Sequence, residues 1–113
     1  ADETGLPAVA GILAALPGAA RGTALIELPA ANDQQDLIKP DGVELVWLPR
    51  TDPGAVPGRV ALAAAADLPT PTEPSYGWVV GEQSLAVGLR RHWVQTGWPK
   101  SQILFCGYWR VRG

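Results

Sequence analysis

The hydrophobic positions of this chain fall into two kinds of segment that alternate along the sequence. The first kind is a short apolar run bounded by Gly, Pro, Asp or Asn, and it shows no regular alternation with polar residues. Four segments have this character, at residues 23–28, 43–48, 76–81 and 102–108. Such runs are typical of strands that are buried on both faces of a parallel sheet. We therefore predict four strands at these positions.

The second kind of segment repeats its apolar residues at spacings of three and four, as an amphipathic helix does. A first helix is predicted over residues 5–16, with Thr4 as its N-cap and Pro17-Gly18 as its stop. An alanine-rich helix is predicted over residues 59–68 and a third helix over residues 82–96. The predicted apolar faces are Leu6, Val9, Ile12, Leu13 and Leu16 on the first helix, and Leu85, Leu89, Trp93 and Val94 on the third.

The order of these segments indicates an α/β domain with a mostly parallel sheet. We assign residues 1–113 to one domain, with polar loops at 29–42 and 49–58 and an extended Pro-rich linker at 69–75. A domain of this class normally opens with a strand whose following loop leads into the first helix. Here the sequence begins at that loop, so we expect the first strand of the sheet to be missing from the chain.

Composition and charge narrow the possible functions. The chain of 113 residues has a net charge of -2 and no basic block, so nucleic acid is not an expected partner. The apolar runs are too short for a membrane span. Cys106 is the single cysteine, which fits a reducing cytoplasm, and with His92 it provides too few ligands for a metal site. No Ser-His-Asp set is present, and no catalytic residue is assigned.

The carboxyl ends of parallel strands, near helix N-termini, are where ligands of open α/β sheets bind. The loop Asp2-Glu3-Thr4-Gly5 lies at such a place, because it leads into the first predicted helix. Backbone N–H groups at a helix start attract an anion such as a pyrophosphate. The alternative interpretation is an ordinary helix cap. The G-x-G-x-x-G dinucleotide fingerprint is absent.

Three further places follow from the same rule. Arg50 comes directly after the second predicted strand and could hold a 2′-phosphate, or it could be a solvated loop arginine. Gly81, followed by Glu82, could let the backbone approach a flat ring, or it could form a simple tight turn. Tyr108 and Trp109 could wall a ring site, or they could be core aromatics.

Taken in order, several motifs of this chain resemble the C-terminal domain of siderophore-interacting proteins, which are relatives of the ferredoxin–NADP reductase superfamily. The matching segments are Ala1-Asp2-Glu3-Thr4-Gly5-Leu6-Pro7-Ala8, Gly22-Thr23-Ala24-Leu25-Ile26-Glu27, Val43-Glu44-Leu45-Val46-Trp47-Leu48, Trp78-Val79-Val80-Gly81-Glu82, Leu89-Arg90-Arg91-His92 and Gly107-Tyr108-Trp109. Ala1 stands where the family usually has Gly, and Gly5 replaces a common Ala. We expect the family's first strand and its flavin-binding barrel domain to be missing from this chain.

The resemblance implies a three-layer parallel sheet of the ferredoxin reductase NADP-domain type, with the first and central strand missing. It implies an NAD(P)H-dependent ferric-siderophore reductase of iron acquisition. In such a reductase, hydride would pass from NADPH or NADH to FAD, and electrons would then pass to chelated Fe(III). FAD would be held mainly by a flavin-binding domain of the same protein. The implied cofactor-binding residues are Asp2, Glu3, Thr4, Gly5, Arg50, Gly81, Glu82, Tyr108 and Trp109. The alternative is a non-catalytic α/β module that binds a partner or a nucleotide.

Overall fold

A computed structural model describes residues 1–52, 54–69 and 75–109, and for residues 108 and 109 it describes the backbone alone. The helices are α1 (Leu6–Ala15), α2 (Arg59–Ala66) and α3 (Gln83–Gln95), with short 3₁₀ turns at Glu3–Gly5, Ala31–Asp33 and Lys100–Gln102. The strands are β1 (Gly22–Leu28), β2 (Val43–Pro49), β3 (Gly77–Glu82) and β4 (Ile103–Trp109). The four predicted strands and three predicted helices are therefore confirmed, with small shifts of their ends. Residues 70–74 of the predicted linker lie outside the described residues.

The strands pair in parallel, as predicted, but they form two separate pairs. The ladder of β1 and β2 runs from Gly22 opposite Val43 to Leu28 opposite Pro49. The ladder of β3 and β4 starts with Gly77 opposite Ile103 and shifts register between Gly81 and Glu82. Within the described residues no ladder joins β1 to β3, so the expected single sheet is divided between these two strands.

Two hydrophobic clusters hold the strand pairs against the helices. In the first cluster α1 packs on β1 and β2, and in the second α2 and α3 pack on β3. The buried members of the first cluster are Leu6, Val9, Leu13, Ile26, Leu28 and Val43. Those of the second are Ala61, Val79, Leu85, Ala86 and Leu89. Apolar residues at helical spacing thus face the strands, which is the arrangement that stabilises an α/β domain.

The start of the first helix differs from the sequence prediction. Asp2, and not Thr4, is the capping residue, because its side chain accepts a hydrogen bond from the Thr4 backbone N–H. A 3₁₀ turn precedes α1, so the cap lies one turn earlier than the helical spacing suggested. Two residues of the predicted apolar face, Ile12 and Leu16, are each 37% exposed, since no described element covers that part of α1.

Candidate functional site at the carboxyl ends of the strands

The side chain of Asp2 joins the first loop to the end of β3. It is fully buried, and its Oδ1 accepts hydrogen bonds from the backbone N–H of Thr4, at 3.0 Å, and from the Thr4 hydroxyl, at 2.5 Å. Its Oδ2 accepts a 2.8 Å hydrogen bond from the backbone N–H of Glu82. Residues that are far apart in the sequence therefore meet at one edge of the molecule, as the rule for parallel strands predicts.

Two glycines allow this close contact between the loop and β3. A Cβ atom at Gly5 would lie 2.6 Å from Cγ1 of Val80, and one at Gly81 would lie 2.7 Å from the carboxylate of Asp2. Gly81 also has a φ of +146°, which side-chain-bearing residues rarely adopt. Both positions thus require glycine in order to seat the loop on the strand.

A second carboxylate network lies at the ends of β1 and β2. Glu27 is fully buried, and its side chain accepts hydrogen bonds from the backbone N–H groups of Gly58, at 2.6 Å, and Ala61, at 2.9 Å. These N–H groups belong to the start of α2. The guanidinium of Arg50 donates through one nitrogen to Glu27 and through another to Glu3. Arg50 thereby links the end of β1 to the first loop.

The surroundings of Arg50 set its charge state and its accessibility. Burial by itself lowers the pKa of the guanidinium, but hydrogen bonds to Glu3 and Glu27 outweigh it and raise that pKa above its usual range. Only 9% of the Arg50 side chain is exposed. The guanidinium is therefore an internal ion-pair partner in this structure. A contact with a 2′-phosphate stays a prediction.

Three of the helical segments that start at this edge are each capped by a buried carboxylate. Asp2 caps the 3₁₀ turn, Glu27 binds the start of α2, and Glu82 accepts a 2.6 Å hydrogen bond from the backbone N–H of Ser84 at the start of α3. Helix starts attract anions, and here protein carboxylates occupy these positions. Thr4 and Ser84 remain exposed. The buried carboxylates at this edge already accept hydrogen bonds from backbone N–H groups, and the binding of a pyrophosphate stays a prediction.

The last predicted place reaches the same edge through the backbone of β4. Trp109 lies opposite Glu82 in the ladder, just after the register shift. Gly107 approaches α3 so closely that a Cβ atom there would lie 3.1 Å from Cα of Gln83. The side chains of Tyr108 and Trp109 lie outside the described residues, so their proximity to a ring stays a prediction.

Glu27 is the residue of this site that the sequence analysis did not single out. A possible signal was its single charge near the end of the otherwise apolar run at residues 23–28. Charged residues are almost never fully buried without partners, so such a position implies donors from elsewhere in the fold. Here those donors come from Arg50 and from α2.

Ala1 occupies the space between β1 and β3. Its amino group donates a 2.9 Å hydrogen bond to the carbonyl oxygen of Leu25, and its own carbonyl accepts a 2.9 Å hydrogen bond from the N–H of Glu27. This pattern is that of one residue in a parallel ladder with β1. Burial lowers the pKa of the Ala1 amino group from 8.0 to about 6, although the nearby carboxylates of Asp2 and Glu27 act in the opposite direction.

A cavity of about 80 Å³ opens beside Ala1. Its walls come from β1, β3, α2 and α3, with Leu25, Val79, Ala65 and Leu89 as examples from each element. The cavity therefore lies where the two strand pairs fail to meet.

Two further features bear on the possible chemistry. Among the described residues no group of three His, Cys, Asp or Glu side chains could hold a metal ion. The helices within the described ranges include none that is long and apolar enough to cross a membrane.

Comparison with known proteins identifies similar sequences and folds. The family model described as siderophore-interacting protein matches residues 1–112. The crystal structure of the siderophore-interacting protein SipS from Aeromonas hydrophila is 32% identical with a TM-score of 0.82, over 97% of this chain and 48% of that one. A siderophore utilization protein from T. fusca is 34% identical with a TM-score of 0.87, over 99% of this chain and 43% of that one.

The chain is also similar in sequence to a protein that is named as a reductase. The ferric vibriobactin reductase ViuB from Vibrio cholerae is 29% identical over 92 residues, which are 80% of this chain and 33% of that protein. The chain thus spans about a third of this relative and less than half of the two solved structures.

Proposed function

Because this chain belongs to the siderophore-interacting protein family, we propose that it is the nicotinamide dinucleotide-binding domain of a flavin-dependent ferric-siderophore reductase. The family match over residues 1–112 is the observation that carries this proposal. The similarity to a protein named ferric vibriobactin reductase supports the reductase activity. Ferric siderophore is then the substrate, and iron release in the cytoplasm is the outcome.

When bound, NADPH or NADH would supply hydride, and FAD would supply the electrons that reduce chelated Fe(III). The residues of this chain bind and orient NADP or NAD. Glu3 and the exposed residue Thr4, whose hydroxyl donates to Asp2, suit ribose hydroxyls, because carboxylate and hydroxyl oxygens can accept their hydrogen bonds. Asp2 and Gly5 hold this loop in place, and Arg50 holds Glu3.

The ring end of the dinucleotide is assigned to the ends of β3 and β4. Gly81 and Glu82 form the turn from β3 into α3 at this end, where Gly81 packs against the Asp2 carboxylate and Glu82 anchors the start of α3. Tyr108 and Trp109 follow at the end of β4 and form the proposed wall toward the flavin. FAD itself is held mainly by a flavin-binding domain of the same protein, the partner of this chain.

The proposed complete fold is a three-layer parallel sheet in which a further strand lies between β1 and β3. Ala1 supports this proposal, because its backbone already pairs with β1 as the last part of such a strand would. The buried amino group supports it as well, since a neutral amide at that position would avoid the penalty of burying a charge. The cavity of about 80 Å³ lies beside Ala1, between β1 and β3.

Calorimetric titration of the purified chain with NADH and NADPH tests the proposed function. We expect binding of at least one dinucleotide with a dissociation constant on the order of 0.01–1 mM, in the usual range of enzyme substrates. We also expect that the chain by itself retains no flavin and reduces no ferric siderophore. A yellow preparation that reduces ferric siderophore would contradict the assignment of FAD to another domain.

A non-catalytic partner-binding module is the second candidate function. The carboxylate caps of the first 3₁₀ turn, α2 and α3 favour it, because they already accept hydrogen bonds from backbone N–H groups that a phosphate would need. This alternative predicts that neither NADH nor NADPH binds. The same titration therefore decides between the two candidates.

A further inference from the structure

Arg50 lies between two carboxylates, one buried and one partly exposed. We propose that Arg50 is a positioning residue that holds Glu3, and with it the loop of residues 2–5, against the ends of β1 and β2. On this view Arg50 does not bind the 2′-phosphate of NADPH, and it supports the binding of NADH and NADPH equally. This role rests on the proposed function and specifies how the same site is held in shape.

The strand side of the network is fixed independently of the loop. The backbone N–H of Arg50 donates a 2.8 Å hydrogen bond to the carbonyl oxygen of Leu28, and its guanidinium donates to the fully buried Glu27. The start of α2 in turn holds the Glu27 carboxylate through Gly58 and Ala61. These contacts fix the position of the Arg50 guanidinium, and its second terminal nitrogen then donates to Glu3.

Charge opposes a phosphate at this position. Two carboxylates and one guanidinium leave the network of Glu3, Glu27 and Arg50 with a net negative charge. A 2′-phosphate would have to displace Glu3 from Arg50 and would then lie beside the displaced carboxylate. Like charges at such close range repel each other.

The ion pair that holds Glu3 also holds the 3₁₀ turn of residues 3–5, which faces the proposed dinucleotide. Glu3 opens the 3₁₀ turn that contains Thr4 and Gly5. Its side chain is 27% exposed, so the ion pair with Arg50 lies at the boundary between the interior and the ligand edge. Loss of this ion pair would loosen the turn, so that the Thr4 and Gly5 N–H groups, which donate to Asp2, would open more often.

The decisive variant is Glu3→Gln, because it leaves the pair of Arg50 and Glu27 intact. Replacing Arg50 itself would leave a buried carboxylate without its cation, which costs about 3–5 kcal/mol and threatens folding. For Glu3→Gln, the positioning role predicts that NADH and NADPH both bind about two- to fivefold more weakly, equivalent to about 0.4–1 kcal/mol. A phosphate-binding Arg50 predicts the opposite for NADPH, since the freed guanidinium would then bind NADPH more tightly.

Glu44→Gln is the matched control. It removes the same charge from an exposed position on β2, outside the network, and both affinities should stay unchanged. Equal weakening of the two dinucleotides in Glu3→Gln, together with faster amide exchange at Thr4 and Gly5 and a free energy of unfolding within about 1 kcal/mol of the unaltered chain, supports the positioning role. A selective gain for NADPH, or no change for either dinucleotide, overturns it.

A second measurement separates this inference from the proposed function. If the unaltered chain binds neither dinucleotide, the proposed function fails. Amide hydrogen exchange then decides the positioning role, because Glu3→Gln should accelerate exchange at Thr4 and Gly5 whereas Glu44→Gln should not. Equal exchange rates in the two variants would overturn the role of Arg50.

Discussion

The backbone N–H of Glu27 donates a 2.9 Å hydrogen bond to the carbonyl oxygen of Ala1. The Ala1 amino group also donates a hydrogen bond to the carbonyl oxygen of Leu25. These two hydrogen bonds pair Ala1 with β1 as in a parallel ladder. Alternate residues of a strand direct their backbone groups to the same side. Thr23 therefore also faces the space between β1 and β3.

An apolar extension before Ala1 should pair with β1 and stabilise the domain. We expect an added Val-Val-Leu-Val-Val segment to raise the free energy of unfolding by about 2 kcal/mol, because burial of apolar side chains outweighs the ordering of the backbone. Chemical denaturation measures this gain. A Gly-Ser extension of equal length is the control, since it also converts the Ala1 amine to an amide. Equal stability of the two proteins, or no added protection of the Thr23 amide, would refute the proposed strand position.

The buried amino group of Ala1 should make stability depend on pH. Its pKa falls from 8.0 to about 6 on folding, so between these values the unfolded state binds more protons and stability rises with pH. Below pH 6 the full burial penalty is present, and above pH 8 it is absent. We expect a rise of about 2 kcal/mol between pH 6 and pH 8, given about 1.36 kcal/mol for each pKa unit.

Acetylation of the Ala1 amino group isolates this effect. The acetylated chain should be more stable at pH 6 and should lose this part of the pH dependence. His92 and the other titratable groups are the same in both proteins. Parallel curves of unfolding free energy against pH would show that the amino group is not buried in solution.

Glu27→Gln should strongly destabilise the domain. The amide removes the charge that balances Arg50 and replaces one acceptor of the buried network with a donor. We expect a loss of about 3 kcal/mol in the free energy of unfolding. Glu44→Gln, at an exposed position of β2, should change stability by less than about 0.5 kcal/mol. Similar small losses for both variants in urea denaturation would be inconsistent with a buried Glu27 network.

Gly81→Ala should break the contact between the first loop and β3. The new Cβ would lie 2.7 Å from the carboxylate of Asp2, and the φ of +146° adds backbone strain. We expect a loss of about 2 kcal/mol, together with faster amide exchange at Glu82. Gly11→Ala is the control, because nothing lies within 4 Å of a Cβ atom at this position of α1. It should stabilise the helix by about 0.5–1 kcal/mol, and the opposite ranking of the two variants would contradict the packing of Gly81.

The sequence alone determined the elements and their parallel sense. Runs such as residues 43–48 have apolar residues at nearly every position, and this local feature distinguishes a buried strand from an amphipathic helix. The rule for parallel strands also indicated where the first loop and Gly81 would meet. Both conclusions depend on patterns within one segment or on a general property of parallel sheets, so they needed no knowledge of the packing.

Only the tertiary structure decided which groups pair with the buried carboxylates, and that the four strands form two separate pairs. Glu27 and Arg50 are 23 residues apart, Glu3 and Arg50 are 47 apart, and Asp2 reaches the N–H of Glu82 across 80 positions. A carboxylate has the same local sequence signature whether it is solvated or buried, because its burial depends on donors that the rest of the chain brings to it. For the same reason the separation of β1 from β3 could be established only when both strands and Ala1 were placed together.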